Sequence, residues 1–213
     1  MEESDIKEKI LKGTEELFMK YGVRSISMDD ISRHLSVSKK TLYQHFADKD
    51  ELVTLVSRGH LERSMKQYEE LRENSRNPIE ELAMISVCMK KDMEEINPGL
   101  LFDIQKFHPK AWKVWLDYKN EFIHDSVVRN LKQGMEDGHI RPEVNPEIIA
   151  KVRIELVQIA FNTEVFPTSQ FRLSEVQAQI FDQFVYGLVT EKGRKLYEKY
   201  KAKIVTLVQT TTL

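Results

Sequence analysis

Apolar residues recur at three- and four-residue intervals along nearly the whole chain, and no stretch shows the two-residue alternation of a strand. Ile6, Ile10, Leu17, Phe18 and Tyr21 form one stripe, which predicts a first helix from about Asp5 to Tyr21, with Ser4 as candidate cap and Gly22 as its stop. Ile31 and Leu35, then Leu42 and Phe46, mark two helices of about two turns around Ser36-Val37. A longer helix from Asp48 to about Arg72 carries Leu52, Leu55, Val56, Leu61, Met65 and Tyr68, and is long enough to belong to two domains. Asn77-Pro78 opens a helix to about Ile96, and Asn97-Pro98-Gly99 breaks the chain before the short apolar segment Leu100 to Phe107. Pro109 then starts one long helix to about Asp137, striped by Trp112, Leu116, Ile123, Val127, Leu131 and Met135. Asn145-Pro146 opens the next helix, to about Phe166. Ser174 caps another with a broad apolar face, and Thr190 and Gly193 mark a break before a charged last helix with a frayed end. The expectation is an all-α chain of nine to ten helices.

The segment from Ser25 to Asp50 carries the sharpest local signals. Ser27 with Asp30, and Asp48 with Glu51, have the spacing of capping boxes, and Ser38 can cap the helix between them. Two short helices around a tight turn form a helix-turn-helix. With Leu42 and Phe46 inward, Ser38, Lys39, Lys40, Thr41, Tyr43, Gln44 and His45 are left outside, and none is acidic. Donors of this kind suit phosphate oxygens, the Gln44 amide can pair with adenine, and the Thr41 methyl suits a thymine methyl. From Ile31 to Lys49, Arg33, Lys39, Lys40 and Lys49 against Asp48 leave a net charge of +3. An ordinary solvated helix face would look similar, so the pattern alone leaves both readings open.

The run from Ser36 to Leu52 closely resembles the signature of TetR-type (TetR/AcrR) transcriptional regulators, with Val37, Ser38, Thr41, Leu42, Tyr43, His45, Phe46, Lys49, Glu51 and Leu52 in their places. The likeness extends back through Ile10, Leu17, Phe18, Tyr21 and Gly22 and covers about the first sixty residues. Ser36 departs from the glycine usual in the turn, and Lys40 from the usual small residue. The resemblance implies a DNA-binding domain over residues 3–63 and an effector-binding and dimerisation domain over 64–213. It further implies phosphate contacts from Thr41, Tyr43 and Lys49, beside which Lys39, Lys40 and Gln44 are the expected base or groove readers, with Ser27, Ser38 and His45 among the DNA-binding residues. It also implies that the last two long helices pair with those of a second subunit. Carried over, that surface includes Ile148, Val152, Leu156, Ile180, Phe181, Phe184, Val185 and Leu188. Internal core of a monomer is the alternative, and the width of the second face favours the homodimer. A palindromic double-stranded operator needs a two-fold protein. Repression relieved by a small molecule follows from the resemblance alone.

Composition adds limits. The 213 residues include only 8 Gly and 6 Pro, and the net charge of −2 says nothing about partners. The acidic start lacks an apolar core segment and no apolar run approaches eighteen residues, so neither a signal peptide nor a membrane span is expected, and the location is read as cytoplasmic. The single Cys88 reads as a small core residue. Between Leu100 and Phe122, Phe102, Phe107, Trp112, Trp115, Tyr118 and Phe122 cluster with Gln105 and His108, which suits an effector pocket or plain core filling. Glu121/His124 and Glu136/His139 each have the Glu-x-x-His spacing of di-iron bundles, the alternative reading as a metal protein or enzyme. Such a site needs the two motifs on facing helices, whereas here they lie fifteen residues apart on one predicted helix, roughly 22 Å along its axis. No cofactor, metal or catalytic residue is expected.

Overall fold

The computed structural model describes residues 3–211, with side chains described over residues 5–206; the side chain of Ser4 lies outside that range. The described chain is all-helical: α1 Glu3–Tyr21, α2 Met28–His34, α3 Lys39–His45, α4 Lys49–Asn74, α5 Pro78–Asp92, α6 Leu100–Phe107, α7 Pro109–Tyr118, α8 His124–Glu136, α9 Pro146–Ala160, α10 Leu173–Tyr186 and α11 Glu191–Thr211. The only strand-like pairing among the described residues is an isolated bridge between Ile140 and Val189.

The chain forms two compact units. The first contains residues up to Ser64 together with Glu95–Tyr118. Its core joins Ile10 and Phe18 of α1 to Ile31, Leu42, Phe46, Leu52 and Ile104. Tyr21, read as part of the covering stripe, is instead half exposed. Gly22 ends α1 at φ +79°, and a Cβ there would stand 3.3 Å from an Asp103 carboxylate oxygen. The α6–α7 segment is tied back by directed bonds. Asn97 N–H donates to Met19 O (2.6 Å), Arg24 N–H to Asp103 (2.9 Å), and His108 Nδ1 lies 3.1 Å from Asp50 of α4.

The turn between α2 and α3 follows the Schellman pattern. Val37 N–H reaches Ser32 O at 3.0 Å and Ser36 N–H reaches Arg33 O at 3.3 Å, which forces Ser36 to φ +53°. A serine pays for that left-handed backbone, whereas glycine adopts it freely. Ser36→Gly should therefore stabilise the protein by about 0.5–1 kcal/mol, after the larger unfolded-state entropy of glycine is subtracted. A urea midpoint that does not move, or falls, would contradict this reading of the turn.

The second unit comprises Met65–Glu94 and the chain from Lys119 onward. Asn77 and Asn145 cap α5 and α9, each followed by proline at the first helical position. Ser174 does not cap α10: that helix starts after Arg172, which makes no side-chain cap bond, and Ser174 is buried in the first turn. The helix expected to run unbroken from Pro109 to Asp137 is interrupted by a π turn at Lys119–Ile123. Its widened turn brings Lys119 inward, where the buried ammonium meets Glu155 (3.4 Å) and Gln158 of α9. Beyond it Leu131 of the expected stripe is buried and Val127 and Met135 pack partly buried against the same core, joined by Val128 and Asn130. Cys88 is half-buried, and burial pushes its thiol pKa up.

The broad face of α10 finds its partners within the chain. Phe181, Val185 and the following Leu188 are 3%, 0% and 3% exposed, in a core with Ile79, Leu82, Met89 and Tyr197. Asp182 accepts from Tyr197 Oη (2.9 Å) and Lys201 Nζ (2.6 Å) of α11. Phe181, Val185 and Leu188 are thus removed from the expected dimer surface. The face is wide because it is shared among α5, α9 and α11.

Candidate nucleic-acid interface

Three caps set the angles around α3. Ser27 Oγ accepts from Asp30 N–H while Asp30 accepts from Ser27 N–H, a complete capping box. Ser38 Oγ accepts from Thr41 N–H at 2.9 Å, and the two hydroxyls sit 2.7 Å apart. Asp48 accepts from Glu51 N–H, and Glu51 reaches back to Ala47 N–H at 2.7 Å. Leu42 and Phe46, 0% and 1% exposed, fix the rotation of α3. Lys40, Tyr43 and Gln44 consequently share an exposed face and engage no protein partner among the described residues. His45 is half-buried with its ring against Phe46.

Two of the predicted cations are not bare. Lys39 Nζ pairs with Asp29 of α2 at 2.6 Å, so a carboxylate does adjoin this face. Counting from Met28 brings in Asp29 and Asp30 and lowers the local net charge from +3 to +1. The pair is exposed on both sides and so worth about 1 kcal/mol or less, which a phosphate can displace. Lys49 Nζ donates to Val23 O at 2.7 Å and anchors the α1–α2 loop. Burial pulls its pKa down, opposed by the nearby charges of Asp103 and Asp30.

The other candidates scatter. Phe102, Gln105 and Phe107 are exposed, with Lys106 over both phenyl rings. His108, expected near a cavity, is instead buried against Asp50 because the α6–α7 corner packs on α4. Trp112 packs on the first core, and Trp115 stacks 5.7 Å from Tyr118 with its buried Nε1 unpartnered. Phe122 falls in the π turn. Of the expected dimer residues, Ile148 and Val152 are 60% and 45% exposed on α9, while Leu156, Ile180 and Phe184 are intermediate. Among the described residues no three His, Cys, Asp or Glu side chains gather as metal ligands. His124 is paired with Asp125 (3.0 Å) and Glu147 (3.2 Å). Among the described residues no helix is long and apolar enough to cross a membrane.

Sequence reasoning passed over Arg153, which is buried in α9. Its place between Ala150, Ile154 and Val157 on the inward stripe was the available signal.

Comparison with known proteins agrees with this geometry. The family model described as bacterial regulatory proteins, tetR family, matches residues 10–56. The uncharacterized HTH-type transcriptional regulator YvaF of Bacillus subtilis (strain 168) is 30% identical over 173 residues, covering 79% of this chain and 88% of its own. A TetR-family transcriptional regulator from Agrobacterium tumefaciens superposes with a TM-score of 0.75 at 15% identity, over 89% of this chain and 100% of that one. The ketosteroid transcriptional regulator KstR2 of Mycobacterium tuberculosis does so with 0.60 at 21% identity, over 87% and 95%. The capped helix-turn-helix, the all-helical fold and the YvaF match together establish that this chain belongs to the TetR family of bacterial transcriptional regulators.

Proposed function

We propose that the protein is a cytoplasmic, homodimeric repressor that reads a palindromic operator with α3 and is released by a small molecule. The observation that carries DNA reading is the outer face of α3. Lys40, Tyr43 and Gln44 are exposed and uncommitted on a helix locked from behind by Leu42 and Phe46. Residues 3–63 form the reading domain in this proposal, and residues 64–213 the effector and dimer domain. Within the second of these ranges, Glu95–Tyr118 is bonded to α1 and α4 and belongs to the first compact unit. The sequence relative KstR2 of M. tuberculosis is named a repressor, which supports repression. A dimer is supported by Ile148, Val152 and Ile159, exposed apolar residues that flank Glu155 on one side of α9.

Gel-shift titrations on a selected operator separate the roles of two neighbours on α3. Tyr43→Phe removes a neutral phosphate donor, so binding should weaken on all sequences while the salt slope, which follows the cations, stays the same. Gln44→Ala should cost about 1–3 kcal/mol at one base position and relax preference there. Unchanged binding in both variants would remove α3 as the reading helix.

A further inference from the structure

Three charged side chains of the second unit are buried: Glu81, Lys119 and Arg153. Glu81 is matched by Arg129 and Asn130, and Lys119 by Glu155 and Gln158. Arg153 has no such match. Its guanidinium lies over the rings of Phe181 (4.9 Å) and Phe184 (5.7 Å), and Nη2 contacts Met89 Sδ at 3.3 Å. Nη1 is buried without a hydrogen-bond partner, and among the described residues no carboxylate pairs with it. Burial lowers its pKa to about 10, so it stays cationic at neutral pH. The Tyr68 phenol beside it is pushed up by burial and by Asp92, and is therefore neutral. Aromatic faces offset only part of the cost of desolvating a cation. What is missing is one negative charge.

We propose that Arg153 anchors the carboxylate of an organic acid with an apolar body, and that this acid is the effector. The proposal rests on the ligand-responsive reading above. Phe181, Phe184 and Met89 supply apolar contact, while the buried, unpartnered Nη1 donates to a carboxylate oxygen. A phosphate monoester carries about −1.5 to −2 charge at neutral pH and would leave a surplus beside a single cation, so a monoanion fits better. The site draws on α5, α9 and α10 rather than on the aromatic segment from Leu100 to Phe122.

The test uses the full-length protein with decanoate, decanol and decyl phosphate, read by calorimetry and by operator gel shift. Decanoate should bind about 10- to 100-fold tighter than decanol and tighter than decyl phosphate, and should lower operator affinity. Arg153→Met should still bind the operator and lose the preference for decanoate over decanol. Arg153→Lys, which keeps the charge, should retain part of it. Equal binding of decanoate and decanol by the wild type would overturn the proposal, as would no decanoate binding up to about 1 mM. It would equally be overturned by a preference that survives in Arg153→Met, by tighter decyl phosphate binding, or by an operator complex indifferent to saturating decanoate. The wild-type comparison stands even if a variant fails to fold. Failure of the ligand-free wild type to bind any operator would instead count against the regulator reading, since the calorimetric preference is measured without DNA.

Discussion

A glutamate at Val152 should yield a folded monomer whose affinity for a palindromic operator is lower by about 100- to 10,000-fold, because the second half-site is then no longer held at high effective concentration. Val152 is 45% exposed on the side of α9 that carries Ile148 and Ile159, so the new charge meets solvent in the isolated subunit and is desolvated only in a dimer seam. Val185→Asp is the informative contrast. Val185 is 0% exposed inside the subunit, so a carboxylate there should unfold the second unit outright. Sedimentation at micromolar concentration with a parallel gel shift reads both effects. A Val152→Glu protein that remains dimeric and binds as before would contradict the α9 seam.

Arg129→Met should lower the stability of the second unit by about 3 kcal/mol. Glu81 is 5% exposed, and it accepts from Arg129 Nη2 (2.7 Å), Arg129 Nη1 (3.2 Å) and Asn130 Nδ2 (2.8 Å). Removing the guanidinium leaves the carboxylate charge buried with one neutral donor. Adding Glu81→Gln to the same background should recover most of the loss, because the amide carries no charge. Urea midpoints of the two variants decide the matter. A loss below about 1 kcal/mol in Arg129→Met would mean that water reaches Glu81 as freely as it reaches a surface pair.

Local chemistry was the part of this fold that the sequence displayed well. Ser27 with Asp30 and Ser38 with Thr41 act within four residues, so their caps are written in spacing alone and stand in the structure. The bounds of α6 follow from Gly99 and Pro109 for the same reason. What could not be read is decided by partners distant along the chain. The α10 face looked too wide for one neighbour because α5, α9 and α11 share it, and α5 lies about a hundred residues upstream. The aromatic run from Phe102 to Phe122 is divided among α6, α7 and the π turn at Lys119–Ile123, so its members do not share one face. Asp29 adjoins α3 only because the turn folds α2 back to place it beside Lys39. Lys49, alike in residue type to its neighbours on the DNA face, is committed to Val23 O, a contact spanning 26 positions. Arg153 is the reverse case: the stripe marks it as inward, and its charge argues for the surface until the packing is seen.

The central claim, that two copies of α3 read one operator, is tested most directly by selection from random-sequence duplex DNA with the full-length protein, followed by footprinting of the enriched sites. The account predicts a palindrome with two protected half-sites centred about 34–36 Å apart or a multiple of that helical repeat. Gln44→Ala should flatten the preference at one symmetric pair of positions within it. Enrichment of no sequence, or of a single unpaired site whose preference is unchanged by Gln44→Ala, would contradict it.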